Sequence, residues 1–240
     1  MVKLGIIVQA HMGATRLPRK MVKDLCGKPV LEHVLTRLKK VTTADELIVA
    51  TSTLKADDEI AAIGKRMNVA VYRGSDKDVL ARFYEAATKY QLTDVARACA
   101  DNTLIDYEII DSELRAYKEG KGKIVIASKN IPLGLGVEIF SYEMLKNAYE
   151  NATENYQHEH VTPYIYENYG NPYLLPYPYD YSKYRFTLDT TDDFELIEKI
   201  YGTLYHGRHD FILQDIAAVM EKNKEWLNIN SHVHQKGVKE

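Results

Sequence analysis

Basic residues and a glycine follow the first apolar segment of this chain at a spacing that suits phosphate binding. The run from Leu4 to Val8 is apolar and rich in β-branched side chains, which predicts a buried strand. Gly13, Arg16 and Lys20 follow within twelve residues. A small-residue loop that leaves a parallel strand can direct backbone N–H groups at a phosphate, and nearby cations neutralise its charge. We therefore interpret residues 9–20 as a polyphosphate-binding loop.

This interpretation has a simpler alternative. The loop contains neither the Gly-x-x-x-x-Gly-Lys-Ser/Thr pattern of nucleoside triphosphatases nor the Gly-x-Gly-x-x-Gly dinucleotide fingerprint. An ordinary strand-to-helix connection with solvated cations is the commoner origin of a basic loop. The position directly after the first strand of an α/β pattern favours a ligand site.

Two aspartates follow predicted strands at distant points of the chain. Asp101 comes after the apolar segment 94–100, and Asp189 comes after an alternating segment that begins at Tyr184. Open α/β sheets bind ligands at the carboxyl ends of their strands, and Mg²⁺ prefers oxygen ligands together with substrate phosphates. We predict that Asp101 and Asp189 jointly hold one Mg²⁺ (or Mn²⁺) ion. The alternative for Asp101 is an Asx turn that ends the strand.

The elements that must position these residues alternate along the chain. Strands are predicted at 4–8, 46–52, 70–72, 94–100 and 123–127, and at the end of the segment 132–140. Helices are predicted at 57–67, 107–119, 142–151 and 213–224, with others that end at Tyr90 and Tyr205. We expect Ser75 or Asp76 to cap the helix that ends at Tyr90, and Thr191 or Asp192 the one that ends at Tyr205. This order predicts an α/β fold with three layers, α/β/α, around a mostly parallel sheet.

Composition bounds the class of protein. The chain has 240 residues, 27% charged and 45% hydrophobic, as expected for one globular domain. A net charge of −3 gives no reason to expect nucleic acid as a partner. No apolar run approaches the roughly 18 residues that span a bilayer. Two cysteines without a paired motif and no signal-peptide pattern lead us to expect a cytoplasmic location with no membrane partner.

Several segments of the chain resemble one family in the same order. Residues 9–20, Gln-Ala-His-Met-Gly-Ala-Thr-Arg-Leu-Pro-Arg-Lys, followed by Cys-Gly-Lys-Pro-Val, resemble the signature loop of SpsF-like cytidylyltransferases. That family takes its name from a spore coat polysaccharide biosynthesis protein and is related to the CMP-sialic acid and CMP-KDO synthetases. Segments 74–82, 101–106, 132–138, 159–163 and 185–193 resemble further family motifs. In the family, Arg usually stands at the position of His11 and Gly at that of Arg19.

The resemblance implies a nucleotide-diphospho-sugar transferase fold, GT-A-like and Rossmann-like, and a CTP-dependent nucleotidyltransferase. The acceptor would be a sugar, a sugar acid, or a small polyol or phosphate, used for surface polysaccharide. Catalytic roles fall on Arg16, Lys20, Asp101 and Asp189, the last two as metal ligands. The implied nucleotide site comprises Gln9, Ala10, His11, Gly13, Arg16, Lys20, Ser75, Arg82 and Asp101. The implied acceptor contacts are Glu138, Glu159, His160 and Arg185, with Glu159 and His160 expected at a helix start.

We expect a single domain, with a nucleotide-binding part at about 1–128 and an acceptor-binding or dimerisation part at about 129–240. A tyrosine-rich stretch, 164–184, would be a subunit interface in a homodimer or a wall of the acceptor site. For Glu138 the alternative is a structural carboxylate.

Two other functions stay open at this point. A GT-A glycosyltransferase would use a finished nucleotide-sugar, but such enzymes usually carry Asp-x-Asp where this chain has Asp101-Asn102-Thr103. A catalytically degenerate nucleotide-binding subunit is suggested by the departures from the family pattern. These departures include His11, Arg19, Ala100 and Thr103.

Overall fold

The alternating strands and helices form a seven-stranded sheet and a small hairpin in the computed structural model, which describes residues 2–239. The strands are β1 (Leu4–Gln9), β2 (Asp24–Leu25), β3 (Lys28–Pro29), β4 (Glu46–Ser52), β5 (Ala70–Gly74), β6 (Asp94–Cys99), β7 (Val125–Ala127), β8 (Glu138–Ser141) and β9 (Tyr173–Leu175). The helices are α1 (Val30–Leu38), α2 (Asp58–Arg66), α3 (Val79–Lys89), α4 (Tyr107–Lys118), α5 (Tyr142–Asn151), α6 (Asn155–His160), α7 (Pro163–Tyr169), α8 (Thr191–Leu204), α9 (Leu213–Lys222) and α10 (Leu227–Asn230). Short 3₁₀ helices lie at Lys20–Val22, Lys55–Asp57 and Lys224–Trp226.

The sheet is mostly parallel, as predicted. Its strand order is β5-β4-β1-β6-β8-β7-β9, and β1 lies between β4 and β6, parallel to both. Only β8, among the strands of this sheet in the described residues, runs antiparallel to its neighbours. Its first residue, Glu138, is therefore at the edge where β1 and β6 end, and it pairs with Arg97.

Helices cover both faces of the sheet and give the predicted three layers. Along β1, Leu4, Ile6 and Val8 pack with α1, α2 and α4 on one face. Ile7 packs with α3, α5 and α7 on the other. A third apolar cluster joins α8 and α9 to the β2–β3 hairpin. The loop after β1 thus lies between the sheet and this third cluster.

Some local predictions are wrong. The segment 184–188 is extended but forms no strand; it has one isolated bridge, from Arg185 to Leu133. Its role is to bring Leu188 to the sheet edge, where its N–H donates to the Asp101 carbonyl at 2.9 Å. Glu159 and His160 end α6 instead of starting a helix.

The two helix caps also differ from prediction by a few residues. Asp78 caps α3, because its carboxylate accepts from the Ala81 N–H, and Thr190 caps α8 through the Asp193 N–H. Several residues near each boundary have capping side chains, so composition alone does not select one.

No helix within residues 2–239 is long and apolar enough to cross a membrane.

Candidate active site

The buried carboxylate of Asp57 holds the loop that follows β1. This side chain is 2% exposed and accepts from the Met12 N–H at 2.8 Å and from the Ser52 N–H at 3.2 Å. It ties the loop to the end of β4. Sequence reasoning missed this role, because an aspartate at a predicted helix start looks like an ordinary cap.

Other residues of the loop after β1 differ in how far they are exposed to solvent. Ala10 is buried, and its N–H donates to the Ala50 carbonyl at 3.1 Å. His11 and Gly13 are exposed. A Cβ built at Gly13 would lie 3.1 Å from Nδ1 of His11, so the imidazole packs directly on the glycine. Because Gly13 is exposed and has no side chain, a ligand can approach the backbone of the loop closely at this residue.

Lys20 lies at the centre of the candidate site. Its side chain is only 7% exposed, and its Nζ donates to three oxygens: Asp101 Oδ2 at 2.9 Å, Asp189 Oδ1 at 3.2 Å and the Leu188 carbonyl at 2.7 Å. Burial alone would lower the pKa of Lys20, but the attraction of the two carboxylates raises it above the ordinary value. The ammonium is therefore charged at neutral pH.

Two arginines complete the charge arrangement around Asp189. Arg16 Nη2 lies 3.4 Å and Arg185 Nη2 2.7 Å from Asp189 Oδ2. Burial alone would raise the pKa of Asp189, but Lys20, Arg16 and Arg185 lower it below the ordinary value. Arg185 also bonds to the fully buried carboxylate of Asp193, at 3.1 Å. The four predicted catalytic residues thus lie together with Arg185, which was predicted as an acceptor contact and here pairs with Asp189 and Asp193.

The donor set fits a divalent cation that also binds phosphate. Asp101 and Asp189 reach a single cation, the Lys20 ammonium, although they are far apart in sequence. Mg²⁺ commonly binds through one or two carboxylates and completes its shell with substrate phosphates and water. Within residues 2–239 no group of three or more His, Cys, Asp or Glu side chains forms an all-protein metal site. Asp101 and Asp189 are therefore candidate ligands for a metal ion that completes its shell with substrate oxygens and water.

A second polar cluster adjoins this centre on the α3-covered face of the sheet. Arg97 Nε donates to Gln9 Oε1 at 3.2 Å, and Arg97 Nη1 bonds to Glu138 Oε2. The other oxygen of Glu138 accepts from Thr162 Oγ1 at 3.0 Å and from the Tyr166 hydroxyl. Glu138 is therefore held by protein groups. Sequence reasoning missed Arg97, because an arginine inside a strand gave no loop or strand-end signal.

Two further predicted acceptor contacts, His160 and its neighbour Glu159, lie on the side of this cluster. His160 is partly buried, and burial lowers its pKa below the ordinary value despite the attraction of Glu159 and Glu138. Its imidazole is therefore neutral at pH 7. Glu159 is exposed at the end of α6.

Arg82 and Ser75 lie at the turn that follows β5. Arg82 is 2% exposed and donates from Nη1 to the Ser75 carbonyl at 2.8 Å, while its Nε has no partner in the described part of the chain. Burial lowers the pKa of Arg82, although Asp57 acts in the opposite direction. The Ser75 side chain is exposed and accepts from the Asp78 N–H. The charge of Arg82, at this turn, therefore interacts with the charge of Asp57, the residue that holds the loop after β1.

The segment after α10 also reaches the site. Gln235 Oε1 accepts from Arg185 Nη1, and Arg16 Nη1 lies 3.4 Å from the His234 carbonyl. Asn230 donates to Asp193 Oδ1 at 2.9 Å and to the Arg185 carbonyl at 3.0 Å. No sequence signal predicted these contacts.

The mostly parallel sheet, covered by helices on both faces, defines a Rossmann-like α/β fold of the nucleotide-binding type. A family model described as cytidylyltransferase matches residues 5–225. The chain belongs to the cytidylyltransferase family, and the predicted SpsF-like membership is confirmed.

Individual relatives agree with this assignment. The chain is 29% identical to the spore coat polysaccharide biosynthesis protein SpsF of Bacillus subtilis, over 91% of this chain and 94% of that protein. It is 40% identical to an uncharacterized protein of Methanocaldococcus jannaschii, over 98% of this chain and 97% of that protein. The solved structure of a cytidylyltransferase from Leptospira borgpetersenii superposes with a TM-score of 0.87 at 30% identity, over 99% of this chain and all of that chain. The chain is accordingly a nucleotidyltransferase of a family that uses CTP.

Proposed function

We propose that this protein transfers CMP from CTP to a small acceptor, with Mg²⁺ bound and with release of pyrophosphate. The observation that carries the proposal is the convergence of Asp101 and Asp189 on Lys20, beside Arg16 and Arg185. The acceptor is a sugar, a sugar acid, or a small polyol or phosphate. Family membership supports the reaction type.

The chain's own residues supply positioning and charge in this reaction. An acceptor oxygen attacks the α-phosphorus of CTP and, where it is a hydroxyl, gives up its proton to solvent. The bond from that phosphorus to the oxygen that bridges to the β-phosphate breaks, and pyrophosphate leaves with that oxygen. Lys20 and Arg16 neutralise the charge that grows on the departing pyrophosphate, and N–H groups near Gly13 hold it. Asp101 and Asp189 would hold Mg²⁺, which supplies further charge neutralisation at the phosphates. Lys20, with Arg16 and Arg185, lowers the pKa of Asp189 and so keeps it ionised, and the short contact with Arg185 orients it.

We further propose a role in surface polysaccharide synthesis, in the cytoplasm, and assembly as a homodimer. The name of the Bacillus subtilis relative supports the first part. The dimer is supported by four tyrosines whose rings pack in series, Tyr177, Tyr179, Tyr181 and Tyr184. Tyr179 is 57% exposed, next to the edge strand β9. Exposed tyrosines favour contact surfaces, since the ring buries apolar area while the hydroxyl stays hydrated.

The test is release of pyrophosphate from each of the four ribonucleoside triphosphates, with and without Mg²⁺, against a panel of acceptors. We expect release from CTP only in the presence of the metal. Asp101→Asn, Asp189→Asn and Lys20→Met should each lower kcat/KM by about 100-fold or more, the scale of one lost charge-stabilising group.

Two neighbouring substitutions serve as controls. Asp192→Asn removes a partly exposed carboxylate at the start of α8 that pairs with His232, and Lys23→Met removes an exposed cation three residues after Lys20. Both should retain activity within about twofold. No pyrophosphate release from any triphosphate by the folded protein would refute the proposal. CTP binding without turnover would instead indicate a degenerate subunit, and hydrolysis of a nucleotide-sugar would indicate a glycosyltransferase.

A further inference from the structure

Arg97 has no role in the proposed reaction, although it lies near the residues that carry it. Arg97 is on β6, four residues before Asp101, and its register partner across the antiparallel pair is Glu138. Gln9, which accepts from Arg97, is the last residue of β1 and directly precedes the loop that leads to Lys20. The cluster therefore adjoins the proposed metal centre.

Two nitrogens of the Arg97 guanidinium bond within the cluster and fix its orientation, and the third has no partner among the described residues. Nε bonds to Gln9 and Nη1 to Glu138, whereas Nη2 has no hydrogen-bond partner in residues 2–239. The side chain is 13% exposed. Burial would lower the pKa of Arg97, but Cys99 and Glu138 raise it, so the group stays charged. Nη2 is not among the fully buried atoms without a partner, so it is accessible and offers a charge-assisted donor to a ligand at this edge of the sheet.

Glu138 differs from Arg97 in this respect. Both of its carboxylate oxygens already accept from protein donors: Arg97 on one side, Thr162 and Tyr166 on the other. It has little capacity to bind an acceptor hydroxyl, but it restricts the orientation of Arg97. Its place in the cluster is that of a positioning residue.

Resting on the proposed function, we propose that Arg97 binds an anionic group of the acceptor and that Glu138 positions Arg97 for this contact. The acceptor then carries a carboxylate or a phosphate besides the attacking oxygen. Guanidinium groups bind both anions through charge-assisted hydrogen bonds. A neutral polyol leaves the cation without its charged partner, so it binds more weakly than an anionic analogue of the same skeleton.

The experiment compares acceptors in matched sets, a neutral polyol, its carboxylate analogue and its phosphate analogue, in the pyrophosphate assay. The variants are Arg97→Gln, Arg97→Lys and Glu138→Gln, each checked for folding by circular dichroism. The control is Arg73→Gln, an ion-paired arginine at the end of β5. Calorimetry with CTP and Mg²⁺ measures nucleotide affinity separately.

We expect the wild type to prefer one anionic analogue, and which of the two it prefers distinguishes carboxylate from phosphate. Arg97→Gln should raise the acceptor KM at least about tenfold for that analogue. Its KM for the neutral polyol and its Kd for CTP should stay within about twofold. Arg97→Lys should recover part of the loss, and Glu138→Gln should raise the acceptor KM to an intermediate value. Arg73→Gln should leave the preference unchanged.

Three results would overturn the inference. One is a wild-type preference for the neutral polyol with normal CTP turnover, which leaves the proposed function intact. Another is a loss in Arg97→Gln that is equal for all acceptors and accompanied by weaker CTP binding, since a purely structural residue gives that pattern. The third is the absence of pyrophosphate release with any acceptor, which removes the proposed function as well.

Discussion

Lys20 shows how much of the site depends on a single side chain. All three N–H donors of its ammonium are used, on Asp101, Asp189 and the Leu188 carbonyl. The side chain is nearly buried, so its size and donor geometry matter as well as its charge. A planar guanidinium has a different shape and donor arrangement.

We therefore expect Lys20→Arg to lose activity although the charge is kept. The predicted loss in kcat/KM is about tenfold or more, because a bulkier group separates Asp101 from Asp189. Lys23→Arg, at an exposed position, is the control. Steady-state kinetics with saturating Mg²⁺ measures the effect, and full activity in Lys20→Arg would contradict the packing described here.

Arg19 has a backbone conformation that is unusual for a residue with a side chain. Its backbone has φ 57° and ψ 27°, the left-handed region that favours glycine, the residue that the resemblance to the SpsF-like loop led us to expect at this position. Its guanidinium pairs with Glu59 at 2.7 Å, but both side chains are at least half exposed. Such a pair is worth about 0–1 kcal/mol, which offsets the backbone strain only in part.

A pair of substitutions tests this explanation. Arg19→Gly should change the free energy of unfolding by less than about 1 kcal/mol, since the relief of strain is opposed by the loss of the ion pair and by the greater unfolded-state entropy of glycine. Arg19→Val should be about 1–2 kcal/mol less stable than Arg19→Gly, because a β-branched residue is strained at this φ. Urea unfolding measures both. Equal stability of the two variants would argue against the left-handed conformation.

At this scale, the grouping of residues at strand ends was predictable and support from buried residues was not. Asp101, Asp189 and Lys20 were grouped because they follow predicted strands, at the edge where open α/β sheets bind ligands. Asp57 and Arg97 were missed, since their partners come from segments about 45 and 41 residues away, Met12 and Glu138. Such pairings depend on tertiary packing, to which single-sequence patterns are blind.

At the scale of elements, the carboxyl group of Glu113 on α4 bonds to the loop before β8 and is fully buried. Glu113 is fully buried; its Oε2 accepts from the Val137 N–H at 3.1 Å, and its Oε1 has no partner in the described residues. Burial raises the pKa of Glu113 well above its ordinary value. The folded state therefore favours the protonated acid, whereas the unfolded chain ionises near the ordinary value of 4.5.

The sign of the pH dependence follows from that difference. As pH rises above about 4.5, the unfolded state loses its proton first, so this group's contribution to stability falls until the folded pKa is reached. Glu113→Gln removes the titration and keeps an acceptor for Val137. We expect the difference in unfolding free energy, variant minus wild type, to increase between pH 5 and pH 8 in urea titrations. A pH-independent difference would contradict the proposed protonation state.

The same scale shows which elements follow from sequence patterns. Long apolar or amphipathic segments such as β4 and α5 were predicted at their observed bounds. The segment 184–188 was mistaken for a strand, since alternating residues also occur in an extended segment that packs on one side. Phe186 and Leu188 are buried in the third apolar cluster without a sheet partner.

At the scale of the whole molecule, a buried histidine pair connects the β2–β3 hairpin with the C-terminal region. His33 Nδ1 and His209 Nε2 are 2.8 Å apart, and His33 Nε2 donates to the Leu25 carbonyl at 2.6 Å. Both side chains are almost fully buried. Burial lowers the pKa of His209 to about 3, with His33 and Arg37 acting in the same direction.

This pair should make the protein sensitive to acid. The unfolded chain takes up a proton at His209 below about pH 6.5, the folded chain only near pH 3, so stability falls as pH decreases through that window. The slope is at most about 1.4 kcal/mol per pH unit. His209→Gln should flatten the decline between pH 6.5 and pH 4 in urea unfolding. An unchanged slope would show that other groups govern acid unfolding.

The convergence of distant segments is the part of the architecture that sequence patterns constrain least. The rule that ligands bind at the carboxyl ends of parallel strands was enough to group Asp101 with the loop after β1. The contacts of Gln235 and Asn230 with the Asp189 region lie outside any such rule. They depend on how α8, α9 and α10 pack against the sheet edge.

The measurement closest to the central claim is calorimetric titration of CTP, with and without Mg²⁺, into the wild type, Asp101→Asn, Asp189→Asn, the double variant and Asp192→Asn. If the two carboxylates hold one metal ion at the nucleotide phosphates, each single substitution should abolish the gain in affinity that Mg²⁺ provides. The double variant should then lose no more than either single variant, and Asp192→Asn should bind like the wild type. Retention of the metal-dependent gain in either single variant, or additive partial losses, would contradict a shared metal site.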